Sequence, residues 1–215
     1  MRIIPTVNCK NFKCVKERLE NVAEFLHRGS WVQIDISDGK FTRVKTWNKP
    51  EQFKRLVNSN QKIGKIKFEI HLMVENPEVW VKKWLMAGAD RVIVHAEAID
   101  LKKFKIYDLE FKNKLGIAIK SNIKVEKLIS YLDKIKFVLL LSVKAGYSGQ
   151  KFDKKILEKI KFLKKNYPKI VIEVDGGVNP KIAKLIKKAG ADIAVSGSYI
   201  FDSKNLKKAY DSLVV

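Results

Sequence analysis

Eight short runs rich in Ile and Val recur along the chain, each followed by a longer stretch with apolar residues at helical spacing. The predicted strands lie near 2–7, 31–36, 66–74, 91–95, 115–119, 136–143, 169–174 and 192–195. Predicted helices lie near 11–28, 50–59, 76–88, 123–133, 153–167, 179–190 and 204–213, with the faintest helical pattern over 99–114. Strands buried on both faces read as continuous apolar runs, and Phe137 to Leu141 reads that way. Asn76-Pro77 and Asn179-Pro180 suit helix starts. Ala87-Gly88-Ala89-Asp90 and Ala189-Gly190-Ala191-Asp192 suit helix ends that lead into strands.

Such an alternation leaves two architectures, a closed (β/α)8 barrel or an open doubly wound sheet. The open sheet carries a glycine-rich loop after its first strand, whereas here that loop reads Thr6-Val7-Asn8-Cys9-Lys10. The glycine-rich turns follow the sixth, seventh and eighth runs instead, where barrels bind phosphate. The expected fold is α/β, a single (β/α)8 TIM barrel, in one domain spanning 1–215, with no Pro/Ser-rich linker to divide it.

A length of 215 residues is near the lower limit for eight β/α units. Lys and Arg total 44 against 23 Asp and Glu, a net charge of +21 that favours anionic partners such as phosphorylated metabolites. The lysines are spread over every predicted helix, as at Lys82-Lys83 and Lys164-Lys165, which reads as solvated surface rather than a nucleic-acid footprint. Cys9 and Cys14 have no second pair with which to build a disulfide framework or a zinc ribbon, so a reducing compartment is expected. The opening Met1-Arg2-Ile3-Ile4-Pro5 meets proline before a signal segment develops, and no apolar run approaches a membrane span. The expectation is a soluble, cytoplasmic protein that engages neither membrane nor nucleic acid.

The residues able to carry chemistry stand at predicted C-terminal strand ends, the catalytic face of a barrel. Asp35 in Val32-Gln33-Ile34-Asp35-Ile36-Ser37-Asp38-Gly39 and Asp175 in Ile172-Glu173-Val174-Asp175-Gly176-Gly177 are two carboxylates suited to taking a proton from a carbon and returning it. Asp35, His71 and Asp175 together have the ligand types for a divalent cation. The turns at Gly146–Gly149, Gly176–Gly177 and Gly197–Ser198 can offer bare backbone N–H groups to a phosphate, and a short helix after the eighth strand can add its positive end.

These residues resemble the ribulose-phosphate 3-epimerase family, of the ribulose-phosphate-binding barrel type, over nearly the whole chain. The likeness is densest in His71-Leu72-Met73-Val74-Glu75-Asn76-Pro77, in Gly146 to Phe152 and in Glu173 to Val178. It implies that Asp35 and Asp175 act as the acid/base pair that inverts C3 of ribulose 5-phosphate through a 2,3-enediolate, giving xylulose 5-phosphate. It implies one divalent metal ion (Zn, Fe(II), Mn, Co or Mg) held by Asp35, His71 and Asp175. It also implies substrate contacts from Thr6, His71, Met73, Gly146, Tyr147, Ser148, Gly149, Gly176, Gly177, Gly197 and Ser198, a supporting role for the His95–Glu97 pair, and a homo-oligomer.

The chain departs from the family pattern at several points. Gln33 stands where a metal-binding histidine is expected; an amide oxygen suits a hard cation and is a poorer zinc ligand than imidazole. Ser37 and Leu141 replace methionines, the sixth loop reads Ala145-Gly146-Tyr147-Ser148-Gly149-Gln150, and residues 41–45 have lost the usual Pro-Asn. Ser37 and the 41–45 loop leave open an epimerase of another ketose phosphate, such as a 6-phosphohexulose, and Gln33 with the +21 charge leaves open a non-catalytic sugar-phosphate or nucleic-acid binder. Asp35-Ile36-Ser37-Asp38 lacks the lysine of the related decarboxylase and aldolase barrels, which excludes their lysine-assisted chemistry.

Overall fold

The apolar runs become strands because the sheet they form is covered on both faces. All five residues of Phe137–Leu141 are buried. Alternate side chains point to opposite faces. Ile4, Ile93, Leu139, Ile193 and Val195 fill one core inside the sheet, while Val92, Val94, Val138, Leu140 and Val174 join a larger core beneath the helices. The computed structural model describes residues 1–99, 112–132 and 134–215. The strands are β1 Arg2–Val7, β2 Trp31–Ser37, β3 Lys67–Met73, β4 Arg91–His95, β5 Leu115–Lys120, β6 Phe137–Leu141, β7 Val171–Asp175 and β8 Ile193–Ser196. They run parallel in sequence order and close on themselves through β8 and β1, the expected (β/α)8 barrel.

The helices that follow are set by local chemistry. In α1 (Phe12–Ala23) the N-cap Asn11 side chain accepts from Cys14 N–H. In α6 (Pro180–Ala189) Asn179 accepts from Ile182 N–H, proline takes the first helical position, and Gly190 ends the helix at φ 109°. Others are α2 Pro50–Ser59, α3 Glu78–Met86, α5 Ile156–Asn166 and α8 Leu206–Leu213. The helix predicted over 123–133 is two short pieces, a 3-10 turn Val125–Leu128 followed by α4 Ile129–Leu132. The expected short helix after β8 is present as α7, Ser198–Phe201. Most of the 99–114 helix lies outside the described residues.

Aromatic packing anchors the outer core around β2 and β3. Trp84, fully buried on α3, meets Phe53 of α2 edge-on at 5.5 Å and Trp47 at 5.9 Å. Its indole N–H donates to Asn48 Oδ1 at 3.2 Å, so the polar tip is satisfied as the ring is buried.

Cys9 and Cys14, expected as separate thiols, are joined by a disulfide with Cα atoms 5.8 Å apart. The cause is local: the Asn11 cap turns the chain into α1 directly after β1, folding Cys14 back over Cys9. Among the described residues no helix is long and apolar enough to cross a membrane.

Candidate active site

Strand register carries the chemical residues to one end of the barrel. Asp35 pairs with His71 across β2 and β3, Leu141 with Asp175 across β6 and β7, and Asp175 with Val195 across β7 and β8. Thr6, Asp35, Met73 and Asp175 line one cleft at the C-terminal ends of the strands. Gly146, Tyr147, Ser148 and Gly149 of the β6–α5 loop border it, as do the Gly176–Gly177 turn and the Gly197–Ser198 turn. Every substrate-contact position expected from sequence is there except His71, which lies with Gln33 just beneath the floor, both fully buried.

Two of the turns require glycine. Gly177 has φ +63°, and a Cβ there would sit 2.6 Å from Phe152 N and 2.9 Å from Gln150 O. Gly146 has φ +86°, and its Cβ would meet Thr42 Oγ1 at 2.6 Å. The β6–α5 loop is therefore pressed against both β7 and the loop after β2. Among the described residues, the N–H groups of Gly177 and Gly197 donate to no acceptor, which leaves them for an anion.

A polar network joins the carboxylates. Gln33 Nε2 donates to Asp35 Oδ1 at 2.8 Å, to Asp175 Oδ2 at 3.0 Å and to Thr6 Oγ1 at 3.2 Å. Asn8 Nδ2 donates to the other Asp35 oxygen at 3.3 Å. His71 Nδ1 faces the same pair, 3.3 Å from Asp35 Oδ1 and 3.6 Å from Asp175 Oδ2. Burial pushes the Asp175 carboxyl up, and the neighbouring Asp35 charge adds to it against the pull of His71 and Gln33. For His71, burial lowers the imidazolium, but the facing Asp175 and Asp35 carboxylates outweigh it and raise it to about 9. The space between the carboxylates therefore favours a positive charge.

The far side of His71 is held by a second histidine. Its Nε2 lies 2.9 Å from His95 Nε2, so one nitrogen donates and the other accepts. Burial lowers His95 to about 4, with Glu97 opposing and the charge of His71 adding, which makes His95 the neutral acceptor. Its remaining N–H then points from Nδ1 toward Glu97 Oε2, 3.6 Å away. The Glu97–His95–His71 chain leaves Nδ1 of His71 facing Asp35 and Asp175, the supporting arrangement that orients a metal-ligating imidazole.

The donor set fits a cation. Ligating atoms of Asp35, His71 and Asp175 lie within 4.8 Å of one another. His71 Nδ1 and Gln33 Oε1 are both buried without a hydrogen-bond partner. Such orphans are rare unless another species completes them.

The structure adds residues that the sequence reading did not single out. Asn8 and Arg18 both line the cleft. Asn8 follows Thr6 by two positions, so strand alternation alone carries it to the same face. Arg18 lies on α1 and no pattern in the sequence marks it. Ser37, expected to reshape the pocket, is instead buried with its Oγ 4.0 Å from Met73 Sδ, and none of residues 41–45 borders the cleft.

Residues 2–201 match the ribulose-phosphate 3 epimerase family. Ribulose-phosphate 3-epimerase of Chlamydia muridarum is 31% identical over 215 residues, covering 96% of this chain and 91% of that protein. The enzyme of that name from Helicobacter pylori is 31% identical over 221 residues, covering 99% and 96%. Among solved structures, 3-hexulose-6-phosphate synthase from Salmonella typhimurium superposes with a TM-score of 0.72 at 13% identity, covering 99% of this chain and 96% of that one, a likeness of fold. The chain belongs to the ribulose-phosphate 3-epimerase family.

Proposed function

We propose that this chain interconverts D-ribulose 5-phosphate and D-xylulose 5-phosphate, with Asp35 and Asp175 as the acid/base pair. The observation that carries this is the convergence of two carboxylates from β2 and β7 on one amide, at 2.8 and 3.0 Å from Gln33 Nε2. The hydrogen on C3 is acidified by the adjacent C2 carbonyl. One carboxylate removes it from one face, giving a 2,3-enediolate, and the other carboxyl delivers a proton to the opposite face. Burial raises Asp175 toward its protonated form, which suits the proton donor in one direction. Amide N–H groups of Gln33 and Asn8 reach the two oxygens of Asp35 and fix its orientation. Thr6 and Met73 border the cleft beside them, and the glycine turns bind the phosphate.

Asp35, His71 and Asp175, with the Gln33 amide oxygen as a further donor, would hold a divalent cation, which would supply Lewis-acid stabilisation of the developing negative charge. Three oxygens to one nitrogen favour Mg or Mn over Zn. Ser37 and residues 41–45, the changes that pointed to a longer ketose phosphate, lie off the cleft, so the pentulose phosphate is preferred. The chain is further read as a single-domain, cytoplasmic homo-oligomer, which light scattering and fractionation test.

The decisive experiment is epimerisation of ribulose 5-phosphate by chelator-treated protein, with Mg, Mn, Fe(II), Co and Zn restored separately, beside Asp175→Asn. Turnover restored best by Mg or Mn, and reduced at least about 100-fold in the variant, is expected. No turnover with any cation, in protein that still binds the sugar phosphate, refutes it.

A further inference from the structure

Arg18 occupies an unusual place for a cation. It projects from α1, half-buried, into the cleft bordered by Gly177, Gly197 and Ser198. Its guanidinium lies over the Phe201 ring, 4.7 Å from the centroid, and Nη1 donates to Asn8 O at 3.4 Å. Phe201 ends α7, the helix that starts at the Gly197 turn, so the contact holds the guanidinium beside that turn. A guanidinium has five N–H donors in a planar fork, and this one bond leaves the fork free. Among the described residues no carboxylate lies within ion-pair distance of it; Asp202, exposed at the rim of the same cleft, acts only through its charge. A partly buried cation whose nearby counter-charge is exposed and not hydrogen-bonded to it, next to bare backbone N–H groups, is an arrangement that a dianion completes.

We propose that Arg18 is a specificity-determining residue that grips the phosphate group of the substrate and gives this cleft its preference for a phosphorylated sugar. The proposal rests on the sugar-phosphate reading above. Backbone N–H groups bind phosphate through dipoles alone; Arg18 adds a formal charge and a fork that matches two phosphate oxygens. Asp202 works against the same dianion, so the two side chains set the phosphate affinity from opposite sides.

The test compares wild type with Arg18→Gln, Arg18→Lys and Asp202→Asn. Kinetics use ribulose 5-phosphate and unphosphorylated D-ribulose, and calorimetry uses inorganic phosphate. Arg18→Gln should raise KM for ribulose 5-phosphate, and Kd for inorganic phosphate, by about 10- to 100-fold, the loss of one charge-assisted contact. Its effect on kcat should be smaller, and any turnover of D-ribulose should fall much less than that of ribulose 5-phosphate. Arg18→Lys should recover part of the loss, and Asp202→Asn should tighten phosphate binding a few-fold, roughly the scale of an exposed charge. Equal losses on both sugars would mean that Arg18 only braces α7, and unchanged phosphate binding in Arg18→Gln would overturn the proposal outright. A wild type that binds phosphate without epimerising the sugar would end the epimerase reading, while the calorimetric comparison would still decide the role of Arg18.

Discussion

Arg91→Met probes the polar layer on which the site rests. Glu69 and Glu173 point into the barrel, both fully buried, in the layer below His71 and Asp175. Arg91 lies between them. Its Nε donates to Glu69 Oε2 at 3.0 Å, its Nη2 donates to the same oxygen, and Nη2 is 3.7 Å from Glu173 Oε2. The guanidinium also lies 3.5 Å from the centroid of the Phe137 ring and 4.4 Å from that of Trp31. Burial pushes both carboxyls above the ordinary range. Arg91 pulls Glu69 back through charge and hydrogen bonding, whereas the charge of Glu69 pushes Glu173 further up. Glu173 is therefore the more readily protonated of the two, and Glu69 is the one that Arg91 compensates.

Methionine keeps most of the aliphatic stem and loses the guanidinium that lies over the two rings, so a double variant is needed to separate lost charge from lost packing. Stranding one partner of a buried ion pair costs about 3–5 kcal/mol. For a domain of this size that is a fall in Tm of about 10–15 °C. Thermal unfolding by circular dichroism at pH 7 measures it, beside the double variant Glu69→Gln/Arg91→Met. The double variant should regain at least half of the loss, because the stranded charge is gone. A single variant within about 3 °C of wild type would show that Glu69 is already neutral. A double variant no more stable than the single one would show that the loss came from packing. Either result refutes the assignment.

Two further outcomes are expected. Burial alone would raise Glu97, but the N–H groups of His95 and Lys120 that face it hold it below the ordinary range. A lowered folded pKa contributes stability above the unfolded value of about 4.3 and loses it as pH falls through the folded one. Wild-type Tm should therefore drop below that pH while Glu97→Gln flattens the acid limb, and equal slopes would contradict the reading. Gly177→Ala forces a Cβ to 2.6 Å from Phe152 N at φ +63°, so it should lose about 1–3 kcal/mol of stability. It should also weaken inhibition by inorganic phosphate, and a variant unchanged in both would mean that the loop accommodates the methyl freely.

What was legible in the sequence follows periodicity and strand ends. Continuous apolar runs, Asn-Pro helix starts and glycine turns are local, and they led to the barrel and to most residues bordering the cleft. Partnerships across the barrel are not local. Arg91 in a strand and Glu69 two strand-ends' worth of chain earlier carry no mark that they will meet inside, and Glu173 is much farther along still. Arg18 sits on a helix that, by spacing, reads as solvated outside its apolar stripe, and only the approach of α7 turns it into a cleft residue. The cysteines had a spacing too short to suggest a framework, yet one Asn11 cap suffices to bring them together. Gln33 shows the limit most clearly. Read along the chain it is a histidine ligand lost. In three dimensions its amide bonds both carboxylates and Thr6, while its oxygen lies buried with no partner. The amide has a donor end and an acceptor end on one rotatable group, so the same side chain can donate hydrogen bonds to the bare carboxylate pair or, turned over, present oxygen to a cation. Gln33 therefore joins both carboxylates at the position where the sequence alone shows only a missing imidazole.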